Sequence, residues 1–294
     1  MKFAFEETQH DRAAHLRLSE QWRTPDLRVM VVGGEHIGSS GGRGIRWLPV
    51  DEAPDGLWIF LGLRDGISHA AVLLDRIPDE LDPVSLRVVG PTIAPEDASL
   101  AVHAVGLSRW HQIHQFCPRC GGATDVIKAG HSRLCRSCGT EHFPRTDPAV
   151  IMLITDGDDR AVLGRQVRWP EGWFSTLAGF VEPGESLPDA VRREVMEEVG
   201  LVVGSVEFAG SQPWPFPSSL MLGFHGVAET TEITVDETEM AEARWFTRDE
   251  LTELTASGEV SLPPSVSMSR WLIDTWHSAG PREGEITGDW RRTP

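Results

Sequence analysis

Apolar positions in the first hundred residues fall in short runs between Gly- and Pro-rich turns. "LRVMVV" from Leu27, "GLWIFLGL" from Gly56, "HAAVLLD" from His69 and "SLRVV" from Ser85 are rich in β-branched and large apolar residues, which predicts strands. "GGEHIGSSGGRG", Gly33 to Gly44, has neither a following helix nor a Walker lysine, so a flexible loop is expected there rather than a phosphate cradle. The period changes at "EDASLAVHAVGLSRWHQIHQF". There Ala98, Ala101, Val102 and Val105 recur at i, i+3, i+4 and i+7, predicting a helix that Gly106 weakens.

A second α/β pattern begins with the strand "AVIMLIT" from Ala149, joined through "DGDD" to a hairpin partner, "AVLGRQV". "WFSTLAGFV" leads into a helix expected from about Pro188 to Val199. Strands follow around "SVEFAGSQ", "LMLGFHGVAE" and "EARWFT", then helices near 247–255 and 268–278. These shifts divide the chain into an N-terminal α/β domain (1–110), a cysteine-bearing segment (112–144), a second α/β domain (145–279) and a polar tail (280–294).

Composition narrows the class. With 294 residues, 40% hydrophobic and 24% charged, the chain reads as soluble and large enough for two or three cores. The opening "MKFAFEETQHDRAAH" is too charged for a signal peptide, and the longest apolar run is far too short to cross a bilayer. A cytoplasmic protein with no membrane partner is expected. A net charge of −17 argues against a polyanion binder that relies on general electrostatics, leaving local patches open.

All four cysteines lie in "CPRCGGATDVIKAGHSRLCRSC": C-x2-C, fourteen residues, C-x2-C. Two thiolate pairs so spaced can complete a tetrahedral Zn²⁺ shell from Cys117, Cys120, Cys135 and Cys138. Disulfides and a redox pair are the alternatives, the first disfavoured in a cytoplasmic chain. Gly121 and Gly139 free the turns to aim N–H groups at sulfur. Arg119, Lys128, Arg133 and Arg136 are expected to offset the charge of a Zn–Cys₄ centre, with His111 and His114 as surface or hinge residues.

The sharpest pattern is "GFVEPGESLPDAVRREVMEEVGL". Glu194, Glu197 and Glu198 stand at i, i+3 and i+4 on one helical arc, beside a docking stripe of Val191, Val195 and Val199. Three clustered carboxylates need a cation: Arg193 serves one neighbour and Glu185, and hard Mg²⁺ or Mn²⁺ suits the remaining oxygens. Gly179, five residues, Glu185, seven residues, then Arg-Glu-Val-x-Glu-Glu-x-Gly-Leu fills every fixed position of the Nudix box. The chain thus resembles the Nudix hydrolases, which cleave a nucleoside diphosphate linked to another moiety.

That resemblance implies an α/β/α sandwich. Glu194, Glu197 and Glu198 bind metal, Ala178 adds a backbone carbonyl, Arg193 and Glu185 orient the helix, and Gly179 and Gly200 shape the loops. Glu198 is the expected base or metal–water ligand, desolvation beside the apolar stripe raising its basicity, with Glu197 the competing assignment.

Ten residues past the box begins "SQPWPFPSS", similar to the substrate-specifying array of the NADH pyrophosphatase subfamily. In that subfamily a zinc ribbon also precedes the Nudix domain, behind a divergent Nudix-like N-terminal domain. Pro213, Pro215 and Pro217 stiffen the backbone, so that Trp214 and Phe216 can stack on a ring at low ordering cost. Phe180 is implied for the nicotinamide, and Gln212, Ser218 and Ser219 complete the array. Glu239 matches the family's extra metal-binding acid, with Glu237 a near rival. Phe143 stands where relatives often have Tyr, a residue this chain lacks entirely, and Ser269 where they often have Ala.

The resemblance implies metal-dependent hydrolysis of NAD(H) to NMN(H) and AMP, removal of NAD caps from RNA 5′ ends, and a homodimer. A broader dinucleotide or ADP-ribose hydrolase is the alternative within the enzyme class, against which the array argues. A non-catalytic nucleotide sensor or RNA-binding protein is the alternative outside it, against which the intact box argues.

Overall fold

The computed structural model describes Phe5 and residues 8–279; the expected polar tail lies outside the described residues. The chain divides into two units, one of Phe5–Thr146 with Pro213–Ser219, the other of Asp147–Gln212 with the chain from Leu220 onward.

In the first unit, strands β1 (Arg28–Gly33), β2 (His36–Ser40), β3 (Arg43–Ile45), β4 (Leu57–Arg64), β5 (Ile67–Leu73) and β6 (Pro83–Ser85) form one sheet in the order β3-β2-β1-β5-β4, with β6 added to β2. Helix α1 (Leu86–Val89) and the long α2 (Pro95–Ile113) follow. Two expectations are corrected here. Residues 33–44 are not a loop but a hairpin: Ile37 and Ser39 are fully buried, and the turn runs through Gly41 and Gly42 at φ +64 and +71. "SLRVV" is not a strand. Ser85 caps a helical turn by accepting from the Arg87 N–H, and Leu86 and Val89, three apart, are buried. Helix α2 continues past Gly106 without a break, its small residues Ala98, Ala101 and Ala104 buried.

Strands β7 (Thr124–Ile127), β8 (Ser132–Cys135) and β9 (Glu141–His142) make the small cysteine-bearing sheet. It is seated on β4: the His131 Nε2 lies 2.7 Å from the Phe60 carbonyl, and a Cβ at Gly130 would come within 2.7 Å of Ile59. This close seating accounts for ribbon and N-terminal sheet forming one unit.

The second unit is a sheet of β10 (Asp147–Thr155), β11 (Arg160–Gln166), β12 (Leu177–Phe180), β13 (Val203–Trp214), β14 (Ser219–Ala228) and β15 (Met240–Thr247), ordered β13-β14-β10-β11-β15 with β12 also on β10. Helices α3 (Leu187–Val199), α4 (Arg248–Ser257) and α5 (Met268–Ser278) cover it. The unbroken apolar run of β10 is explained by burial on both faces. Val150, Met152 and Ile154 pack with Val191, Val195 and Val199 of α3, whereas Ile151 and Leu153 pack with Leu251 of α4 and Leu272 of α5. The result is an α/β/α sandwich.

Candidate active site

Two short elements build the carboxylate site. Strand β12 pairs antiparallel with β10 (Val150 opposite Gly179, Ile151 opposite Ala178), presenting its backbone to α3. Ser186 caps α3 by accepting from the Asp189 N–H, and Gly200 closes the helix at φ +70. The buried valines of α3 each contribute about 2 kcal/mol of apolar transfer and hold the helix rotation that aims the glutamates. A Cβ at Gly179 would overlap the Glu194 carboxylate, so any side chain there would push that carboxylate from its place.

Arg193 organises the exposed side of the cluster. Its Nε and Nη2 donate to the two oxygens of Glu185 (2.8 and 2.9 Å), Nη1 to Glu194 and Glu197 (2.8 and 2.9 Å), and Nη2 also to the Phe180 carbonyl (2.9 Å). Pairing with Arg193 holds the Glu185 carboxyl below its ordinary range. Glu198 differs. It is 4% exposed, the Ala178 N–H donates to its carboxylate, and Oε2 is buried without a partner. Burial first, then the Glu194 and Glu239 charges, pushes its pKa up to about 8. Burial also raises Glu194. Glu239 acts on both Glu194 and Glu198, which brings it, and not Glu237, into the electrostatics of the cluster.

This is an acidic cluster with an orphaned carboxylate oxygen, hard donors throughout, and a glycine cradle beside Glu194. The chemistry fits Mg²⁺ or Mn²⁺. Among the described residues, four cysteines bring their ligand atoms within 4.8 Å of one another.

Those cysteines are Cys117, Cys120, Cys135 and Cys138, all free. Their sulfurs lie 3.8 Å (Cys117–Cys138) and 3.5 Å (Cys120–Cys135) apart. Tetrahedral Zn–S bonds of about 2.3 Å require roughly 3.8 Å between sulfurs. Gly121 and Gly139 take positive φ, but their N–H groups donate to the Cys117 and Cys135 carbonyls. The N–H groups that reach the Cys135 sulfur come from Ser137 and Cys138. Nor do three of the four expected cations serve the sulfurs. Lys128 pairs with Glu141, Arg136 with Asp125, and buried Arg133 donates to Thr124 and His111. His111 is a core residue rather than a surface one, its Nε2 2.9 Å from the Gly130 carbonyl.

The array splits. Gln212 is 1% exposed, its Nε2 donating to the Val266 carbonyl and its Oε1 accepting from the Met268 N–H, so the amide braces the entry to α5. Ser269 is likewise buried and meets Ser175 and Thr176 (2.8 and 2.9 Å), three and two residues before Ala178. Trp214 and Phe216 pack edge to face at 5.1 Å, with Phe216 only 8% exposed. The three prolines are not equivalent: Pro215 is buried, whereas Pro213 and Pro217 are exposed, and the Phe216–Pro217 peptide is cis. Pro217 thus lies on the solvent side of the turn into β14. Ser218 and Ser219 are half-buried beyond it. Phe180, by contrast, is 60% exposed and Phe143 is exposed as well.

Residues 145–264 match the family described as NUDIX domain, and residues 114–143 the NADH pyrophosphatase zinc ribbon domain. A Mycobacterium bovis protein (strain BCG / Pasteur 1173P2), "NAD-capped RNA hydrolase NudC", is 43% identical over 233 residues, covering 74% of either chain. A Mycobacterium tuberculosis protein (strain ATCC 25618 / H37Rv) of the same description matches equally, and the human "NAD-capped RNA hydrolase NUDT12" is 42% identical over 63% of this chain and 43% of its own length. The chain is a Nudix hydrolase carrying the NADH pyrophosphatase zinc ribbon.

Within this Nudix hydrolase the sequence reading missed two neighbours of the ribbon sulfurs. His142 Nε2 lies 3.2 Å from the Cys117 sulfur, and Thr140 Oγ1 lies 3.2 Å from that of Cys138. Both follow the second cysteine pair by a few residues, a proximity that could have flagged them. Ser175 and Thr176 carried no such signal, since only the fold brings them to Ser269.

Proposed function

We propose that this Nudix hydrolase cleaves the diphosphate of NAD(H) to NMN(H) and AMP, and removes NAD caps from RNA to leave a 5′-monophosphate. The observation that carries the reading is the buried Glu198 with its unpartnered oxygen, flanked by Glu194 and Glu239 and backed by Arg193. The subfamily's zinc ribbon and the descriptions of the mycobacterial and human relatives support NAD as the group that is cut.

A bound Mg²⁺ or Mn²⁺ would supply charge neutralisation for the diphosphate and make a water easier to deprotonate. Glu194, Glu198, the Ala178 carbonyl, Glu197 and Glu239 would hold that cation, and Glu198 would hold or take the proton of the attacking water. Its raised pKa makes it the stronger base once deprotonated. Glu197, more exposed and tied to Arg193, is the competing base. Exposed Phe180 receives the nicotinamide, and the "SQPWPFPSS" stretch selects the dinucleotide. The enzyme works as a homodimer, with Phe116 and Phe143, both exposed beside the ribbon, offered to the second copy. Free rather than bridged cysteines support a cytoplasmic setting.

Product analysis tests this. NADH, NAD⁺, ADP-ribose and NAD-capped RNA are incubated with the enzyme and Mg²⁺ or Mn²⁺. NMN(H) with AMP, and 5′-monophosphate RNA, are expected, with NADH turned over faster than ADP-ribose. No turnover with either metal would overturn the reading, and equal use of ADP-ribose would replace it with a broad diphosphatase.

A further inference from the structure

Within the "SQPWPFPSS" stretch, the turn between β13 and β14 is rich in proline. Pro213, Pro215 and Pro217 lack N–H donors, and the Phe216 N–H folds back on the Trp214 carbonyl at 2.8 Å. What orients the two rings comes from elsewhere in the N-terminal unit, to which Pro213–Ser219 belongs. The Arg87 guanidinium carbon lies 4.1 Å from the Phe216 ring centre and 5.8 Å from that of Trp214. Arg87 is itself fixed. It stands on the turn of α1 anchored by buried Leu86 and Val89, and its N–H donates to Ser85 Oγ. Its Nε lies 3.6 Å from Glu35 Oε2, while Glu35 Oε1 accepts from Ser85 Oγ. On a neighbouring element, α2 lacks a side chain at Gly106, where an added Cβ would touch Pro215 at 3.8 Å.

We propose that Arg87 is a positioning residue for substrate specificity. It caps Phe216 and thereby fixes Trp214 as the ring the array presents to the dinucleotide. The inference rests on the function proposed above. Phe216 is then not a stacking surface, because burial and the guanidinium cover it. A cation over an aromatic face is the interaction that holds this order, and the Glu35–Ser85 pair holds the cation.

The test compares wild type with Arg87→Met, which keeps length and loses charge, and Arg87→Lys, which keeps the cation. Hydrogen exchange over residues 211–219 is read alongside KM and kcat for NADH and ADP-ribose. Arg87→Met should speed exchange in that segment and raise KM for NADH about 2- to 30-fold. Its kcat should stay within about twofold, its KM for ADP-ribose should be unchanged, and Arg87→Lys should recover most of the loss. Unchanged exchange in Arg87→Met overturns the positioning role whatever the substrate proves to be. A KM for ADP-ribose that rises in parallel with that for NADH overturns the specificity role. Wild type inactive on NADH would instead refute the proposed function, with the exchange comparison still deciding whether Arg87 holds the array.

Discussion

The two metal-binding regions of this chain are prepared to different degrees. In the ribbon, four sulfurs already stand at the spacing of a zinc tetrahedron, with backbone N–H groups and the His142 and Thr140 side chains around them. In the box, three glutamates share a helix arc: two are tied to Arg193, and the third is buried with its pKa pushed up to about 8. A closed shell of soft thiolates is a structural element whose metal is part of folding. Hard carboxylates on a helix face suit an exchangeable cation and the charge that a diphosphate brings.

The sharpest way to break this comparison is to neutralise one residue on each side. Glu198→Gln should lower kcat on NADH about 10²- to 10⁴-fold, the range for losing a positioned base. Its metal-free thermal stability should hold or rise, because a buried repulsive carboxyl has been removed. Full activity in Glu198→Gln would transfer the base role to Glu197. Cys135→Ser should do the reverse. Zinc content should fall, and melting of the N-terminal unit should drop by several degrees or more, because the ribbon and the first sheet are one unit.

A smaller effect sharpens the same contrast through pH. His10 and His131 are lowered to about 4, chiefly by burial, and His103 well below its ordinary value for the same reason. A base whose folded pKa is depressed stabilises the fold fully above the unfolded value of about 6.5, and that stability is lost as pH falls towards 4. Glu198 has the opposite sign. A carboxyl raised to about 8 favours the fold below its unfolded value and loses that contribution as pH climbs through 8. Calorimetry of protein with zinc bound and no added divalent cation should therefore show the N-terminal unit weakening from pH 7 to 5. The catalytic unit should weaken from pH 6 to 9, and Glu198→Gln should flatten that second slope. Parallel slopes in both units would contradict the assignment.

How much of this was legible in the sequence follows from how local each feature is. The glutamate arc and the valine stripe belong to one helix whose 3.6-residue period fixes their faces, and the cysteine spacing needs only two tight turns. The double burial of β10 was visible as an unbroken apolar run. Features that depend on distant partners were not visible. Ile37 and Ser39 make a strand of a glycine-rich stretch only because the sheet buries them. His111 reads as a surface residue until Gly130 and Arg133 are brought to it. Gln212 is turned from a substrate contact into a brace by Val266 and Met268, more than fifty positions away. Pro215 and Pro217 look interchangeable along the chain, yet only the first is buried. Glu239 and Glu237 look alike in sequence, and the loop alone decides which approaches α3.

One measurement tests the central claim most directly: metal content and NADH hydrolysis read on the same desalted sample. The account predicts about one zinc per chain, no retained Mg²⁺ or Mn²⁺, no turnover, and full turnover on adding either cation with the zinc still in place. Hydrolysis at full rate by the sample holding zinc alone would contradict it.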